Sequence, residues 1–238
     1  MKKLQHFSIL ILSIFLLLNL SACDCIQGEG LIRSENRSVE NFRGIDLDIA
    51  ADVIITKSDE FSFEIHAQEN LLRLIKTRVV GRNLRIYINE NCLLNSKGIE
   101  IYISMPEIEE LGIGGSGSII LEDHFESDRI YLSVNGSGGI EADLSADRIE
   151  CDINGSGSIE LFGDSDKLSI DISGSGDVDA IRLAAEKVYV EVYGSGNSRV
   201  FAKDYLEVDI SGSGNVKYKG RPDINSDTNG SGKLIKLR

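Results

Sequence analysis

Few side chains in this sequence have the types and spacing that do chemistry. Beyond its first residues it holds two histidines, His66 and His124, no tryptophan, and cysteines at 23, 25, 92 and 151. Neither histidine belongs to a metal-like pair, and none of the cysteines shows metal-ligand spacing. Gly112-x-Gly114-x-x-Gly117 matches the spacing of a dinucleotide loop, where backbone N–H groups and a helix N-terminus hold a pyrophosphate. That chemistry needs a helix to follow, and Ile119-Ile120-Leu121 reads as a strand instead. Acids number 38. A lyase or hydrolase would need them to converge, with each other or with an Arg or Lys base. They recur at repeated positions rather than in one cluster. The expectation is a non-catalytic chain with no cofactor and no metal site.

One cysteine stands apart. Lys2 and Lys3 are followed by an apolar run from Ile9 to Leu18, broken by Ser13, and then by Leu20-Ser21-Ala22-Cys23. A basic start, a short apolar core and small residues before a cysteine read as a lipoprotein signal over residues 1–22. Cys23 is then the lipid attachment site, and acyl chains hold the exported chain to a membrane. Residues 23–38 are expected as a polar leader, and 39–238 as one domain. The localisation expected is the cell envelope, as an outer-membrane lipoprotein, on a face that Asp24 leaves open.

Removal of residues 1–22 leaves 23 basic and 38 acidic side chains, a net charge of −15. Such a surface repels nucleic acid, so none is expected as a partner.

The elements that would carry any site are set by a repeat. Gly-Ser-Gly recurs seven times, beginning at Gly115, Gly136, Gly155, Gly174, Gly194, Gly212 and Gly230. Its spacing of 18 to 21 residues marks a solenoid. Each triplet follows an alternating run, such as Leu168-Ile170-Ile172 or Val188-Val190-Val192, and precedes a shorter one. Period two means strands with one face buried, and Cys151 falls on the apolar side as a small core thiol. Ahead of four of these strands stands a small–acid–base–apolar corner, as in Ser127-Asp128-Arg129-Ile130. Strand, Gly-Ser-Gly corner, strand and charged corner make one coil of an all-β parallel β-helix. About ten coils would give a rod on the order of 45–50 Å long. Ser116, Ser137, Ser156, Ser175, Ser195, Ser213 and Ser231 form a hydroxyl ladder at its corner. Residues 39–110 read as degenerate coils, with Ala50-Ala51 at a corner, and 111–238 as regular ones. Lys233, Lys236 and Arg238 would guard the last edge against sheet addition. The least regular stretch, Asn89 to Gly98, is where a pocket would be sought first.

Serial Gly-Ser-Gly corners, "ENLLRLIKTRVVGRNLRI" at residues 69–86 and "YKGRPDINSDTNGSG" near the end together resemble the auto-transporter adhesin head GIN domain family of bacterial envelope proteins. The resemblance spans roughly residues 40–222. It implies a right-handed β-helix and, by name, adhesion; it brings no catalytic residues. The function expected is a lipid-anchored binding or structural module. Its partners would be a membrane through the acyl chains, and a surface glycan or envelope protein along a face such as Tyr189, Glu191 and Tyr193. Two rivals are a periplasmic partner in envelope-stress sensing or assembly, and a carbohydrate-active β-helix enzyme. Oligomeric state is not encoded in any of these features.

Overall fold

The computed structural model describes residues 26–89 and 98–238, with the backbone of 93–94. Cys23, Cys25 and Cys92 lie outside the described residues. In chain order the elements are β1 (Ile26–Gln27), β2 (Ile32–Asn36), β3 (Gly44–Leu47), β4 (Asp52–Lys57), β5 (Ser62–Gln68), α1 (Glu69–Leu72), β6 (Lys76–Val80), β7 (Asn83–Tyr87), β8 (Leu93–Leu94), β9 (Glu100–Met105) and β10 (Glu110–Ile113). Then come β11 (Ser118–Leu121), β12 (Phe125–Val134), β13 (Gly139–Gly155), β14 (Ser158–Gly174), β15 (Asp177–Gly194), β16 (Asn197–Gly212), β17 (Asn215–Lys219), β18 (Asp223–Gly230) and β19 (Lys233–Lys236).

The chain is a parallel β-helix. Each Gly-Ser-Gly corner joins a front face, formed by the strand before it, to a back face, formed by the strand after it. Among the described residues the front face is nine parallel strands wide, ordered β7, β3, β10, β12, β13, β14, β15, β16, β18. Alternate side chains turn inward and stack in columns. Leu132, Cys151, Ile170, Val190 and Val208 form one column, and Val134, Ile153, Ile172, Val192 and Ile210 the next. All are buried. Burying a side chain of this size stabilises by about 1.5–3 kcal/mol, so each coil is held chiefly by its neighbours' apolar columns. The alternation thus positions the thiol of Cys151 as expected, inside the core, where burial raises its pKa. On the back face one inward position breaks the pattern. Ser198 lies between Val178 and Val216, is 1% exposed, and its Oγ has no hydrogen-bond partner among the described residues.

The corners explain the triplet. Ser175 N donates to Gly155 O at 2.8 Å, Ser195 N to Gly174 O at 2.8 Å, and Ser213 N to Gly194 O at 2.8 Å. Each corner therefore hangs on the one beneath. Gly174, Gly194 and Gly212 have φ of 124°, 128° and 139°, which L side chains rarely adopt. A Cβ on the second glycine would meet backbone too: on Gly196 it would lie 2.4 Å from Gly176 O.

The early coils depart from chain order. Gly44 to Leu47 pair on one side with Asn83 to Ile86 and on the other with Glu110 to Ile113. The first coil to be made, β3 and β4, is thus enclosed by the later β7–β9 coil and by β10–β11. Between them the chain builds a cap. β5 runs antiparallel to both β9 and β2, and β6 antiparallel to β7. The segment expected as a polar leader contributes to this cap through β1, which pairs with β8, and through β2. Arg37 fixes it: its guanidinium donates to Leu72 O at 2.9 Å and Ile75 O at 3.0 Å, and pairs with Glu35 at 2.7 Å. This cap is why the ladder has nine front strands rather than about ten.

At the other end the core closes by composition. Ser226 and Thr228 of β18 occupy the columns of Val208 and Ile210, and all of β18 is exposed. Lys233 and Lys236 lie on β19, the back-face edge.

Candidate binding face

Outward positions stack as regularly as inward ones. Three columns run side by side up the front face. One carries Tyr131, Glu150, Ser169, Tyr189, Glu207 and Asn225. The middle one carries Ser133, Asp152, Asp171, Glu191, Asp209 and Asp227. The third carries Asn154, Ser173, Tyr193, Ser211 and Asn229. The middle column puts carboxylates in five consecutive coils, about 4.8 Å apart. Their mutual repulsion is visible at Asp171. Desolvation first, then the charges of Glu191, Asp152 and Glu150, push its carboxyl up to about 6.

Tyrosines flank this column and lean on carboxylates. The Tyr131 hydroxyl donates to Asp152, Tyr193 to Glu191 at 3.1 Å, and Tyr205 to Glu207 at 2.7 Å. Partial burial and that bond raise the Tyr131 phenol; at Tyr193 the bond to Glu191 is the main cause. The Lys167 ammonium sits 4.3 Å from the Tyr189 ring centroid, and Tyr205 packs 5.8 Å from that ring. Tyr193 is 55% exposed, with its ring on open solvent. The structure therefore brings Tyr189, Glu191 and Tyr193 together on one outward surface of β15. Such a surface can stack an aromatic or sugar ring and accept hydrogen bonds from hydroxyl or amine donors.

The other expected positions fall as follows. Ser116, Ser137, Ser156, Ser175, Ser195, Ser213 and Ser231 are all exposed along the corner. The charged corners stack in register, with Arg129, Arg148, Lys167 and Lys187 in one column. Arg129 reaches Glu150 at 2.7 Å. His66 and His124 each meet a carboxylate, Glu64 at 2.9 Å and Asp143 at 2.8 Å. Among the described residues no three His, Cys, Asp or Glu side chains gather as metal ligands.

Most of the Asn89 to Gly98 stretch, where a pocket would be sought first, lies outside the described residues. A groove of about 920 Å³ lies beside the β6–β7 turn. Its arginines are already paired: Arg43 with Glu107 at 3.0 Å and Glu109 at 2.9 Å, and Arg82 with Glu109 at 2.8 Å. It latches the cap hairpin to the first coils.

The carboxylate column was the feature that reading by motif missed. Its signal is a fixed offset: Asp152, Asp171, Glu191, Asp209 and Asp227 each stand three residues before the first glycine of a triplet.

No curated protein matches this chain. Solved structures do. A "putative adhesin" from Bacteroides fragilis NCTC 9343 has 23% identity and a TM-score of 0.85, and the match covers 89% of this chain and 100% of that one. A "putative lipid binding protein" from Parabacteroides distasonis ATCC 8503 has 27% identity and a TM-score of 0.75, covering 90% and 100%. A "putative adhesin" from the same organism has 26% identity and a TM-score of 0.70, covering 90% and 100%. The family described as "Putative auto-transporter adhesin, head GIN domain" matches residues 41–222. With most of its length inside that match, and with the repeat that the family resemblance rests on seen as stacked coils, the chain belongs to the auto-transporter adhesin head GIN domain family.

Proposed function

We propose that the protein is a lipid-anchored binding module of the cell envelope. It holds its ligand on the front face and does no catalysis. The observation that carries this reading is the continuous outward face itself. Tyr189, Glu191 and Tyr193 share it with a continuous carboxylate column. A face of this kind suits a long ligand rich in hydroxyl or amine donors, such as a surface glycan, read along several coils. Family membership supports adhesion as the mode of action. The expected acylation of Cys23 supports the anchoring, and a neighbour described as lipid binding agrees with a membrane setting.

A glycan array tests the binding role. The chain is screened beside Tyr189→Ala/Tyr193→Ala and Ser195→Ala. The reading expects bound glycans that the double tyrosine variant loses and the serine variant keeps. Hits indifferent to the tyrosines would move the site off this face, and an array without hits would count against glycan as the ligand class.

A further inference from the structure

Two edge strands close the N-terminal end of the stack. Among the described residues, β6 at the front pairs with β7 alone, and β2 at the back pairs with β5 alone. Topology therefore gathers Leu31, Ile32 and Arg33 with Lys76, Arg78 and Val80 at one end. Leu31, Ile32 and Val80 are 65%, 49% and 55% exposed. Arg33, Lys76 and Arg78 are exposed, and none of them is joined in an ion pair among the described residues. Charge also differs along the rod: residues 26–89 carry nine basic and ten acidic side chains, whereas residues 98–238 carry 13 basic and 26 acidic.

The chain also enters at this end. Asn70 of α1 holds it there, accepting from Glu29 N at 2.8 Å and donating to Gln27 O at 2.8 Å. From Ile26 back to Cys23 is three residues, a reach of about 10 Å at full extension. With Cys23 acylated, the reading on which this inference rests, the bilayer surface must lie close to these edge strands.

We propose that this end is a seat for a bilayer bearing anionic headgroups, from which the solenoid stands upright. Leu31, Ile32 and Val80 enter the interface, and Arg33, Lys76 and Arg78 meet the headgroups. The acidic coils begin only a few strand spacings away. At about 4.8 Å per coil they soon pass the Debye length of roughly 8 Å, so they do not cancel the attraction. Their charge instead opposes a rod lying flat on the membrane. The far end is basic as well, with Lys217, Lys233 and Lys236, but those charges lie opposite the point of tethering and guard an open edge.

Amide hydrogen exchange on the full chain, purified from membranes, tests the seat. The chain is reconstituted into phosphatidylcholine vesicles with or without phosphatidylglycerol. Exchange in β2 and β6 should slow about tenfold or more on vesicles containing phosphatidylglycerol. Arg33→Gln/Lys76→Gln/Arg78→Gln should remove that slowing, each lost charge weakening the dock by about fivefold. The far edge strands, β18 and β19, should exchange alike on all vesicles. Flotation of the chain with the vesicles is scored separately. A chain that does not float sinks both the anchor and the seat. A chain that floats with β2 and β6 unprotected, or with β18 and β19 equally protected, overturns the seat alone.

Discussion

Gly212 sits on Gly194 so closely that a Cβ on Gly212 would lie 2.1 Å from the Gly194 carbonyl oxygen. The same relation recurs down the corner, at 2.4 Å for Gly194 above Gly174 and 2.5 Å for Gly174 above Gly155. The contact is backbone on backbone, so no side-chain rearrangement relieves it. The corner has no room for another residue, and this is the reason for the repeat.

Gly194→Ala should therefore cost about 3 kcal/mol or more, from a strained φ and a clash that only coil separation can relieve. Ser195→Ala, one residue along and exposed, should stay within about 0.5 kcal/mol of the parent. Urea denaturation of the two variants measures both. Equal, small effects would mean that the coils do not hang on their corners.

Ser198 should be a weak point that substitution repairs. Its hydroxyl is buried between Val178 and Val216 and unpaired among the described residues. Leaving such a group unsatisfied costs about 1–3 kcal/mol. Ser198→Ala should raise the urea midpoint by the equivalent of about 1 kcal/mol, and Ser198→Val should do at least as well if the column has room. A fall in midpoint for Ser198→Ala would show that the hydroxyl is satisfied in solution.

Stability should rise as pH falls from 7 towards 5. The folded Asp171 carboxyl titrates at about 6, above the unfolded value of 3.8. The folded state therefore binds the proton more tightly, and stability is lost as pH rises from near 4 through 6. Because the side chain is largely solvated, the effect is discounted to about 1 kcal/mol. Denaturation at pH 5 and 7.5, for the parent and for Asp171→Asn, reads it. The variant should flatten the difference; an unchanged slope would assign the pH dependence to other groups.

Arg37→Ala should loosen the cap and leave the rod intact. The substitution strips donors from the Leu72 and Ile75 carbonyls. Residues 69–82 should then become sensitive to brief proteolysis while β12–β16 remain resistant. Uniform loss of resistance would make cap and rod a single cooperative unit.

Much of this was legible in the sequence, for a physical reason. Inward alternation and the triplet are local patterns, and stacking repeats them at a fixed offset. The core columns and the corner could be read from one coil and multiplied. The carboxylate column was legible in the same way, since an acid recurs three residues before each triplet from Asp152 onward. The N-terminal arrangement was not. That β3 would be enclosed by β7 and β10 depends on partner choice among strands of similar alternation, to which local period is blind. The cap was equally hidden. Arg37 reads as an ordinary leader residue until α1 places Leu72 beneath it.

The most direct test of an envelope-displayed binding module is protease shaving of intact cells beside permeabilised ones, followed by blotting for this chain. The account predicts loss of the folded domain from intact cells, with an acylated fragment bearing Cys23 left in the membrane. Loss only after permeabilisation would contradict it, and would direct the search for a ligand to the periplasm.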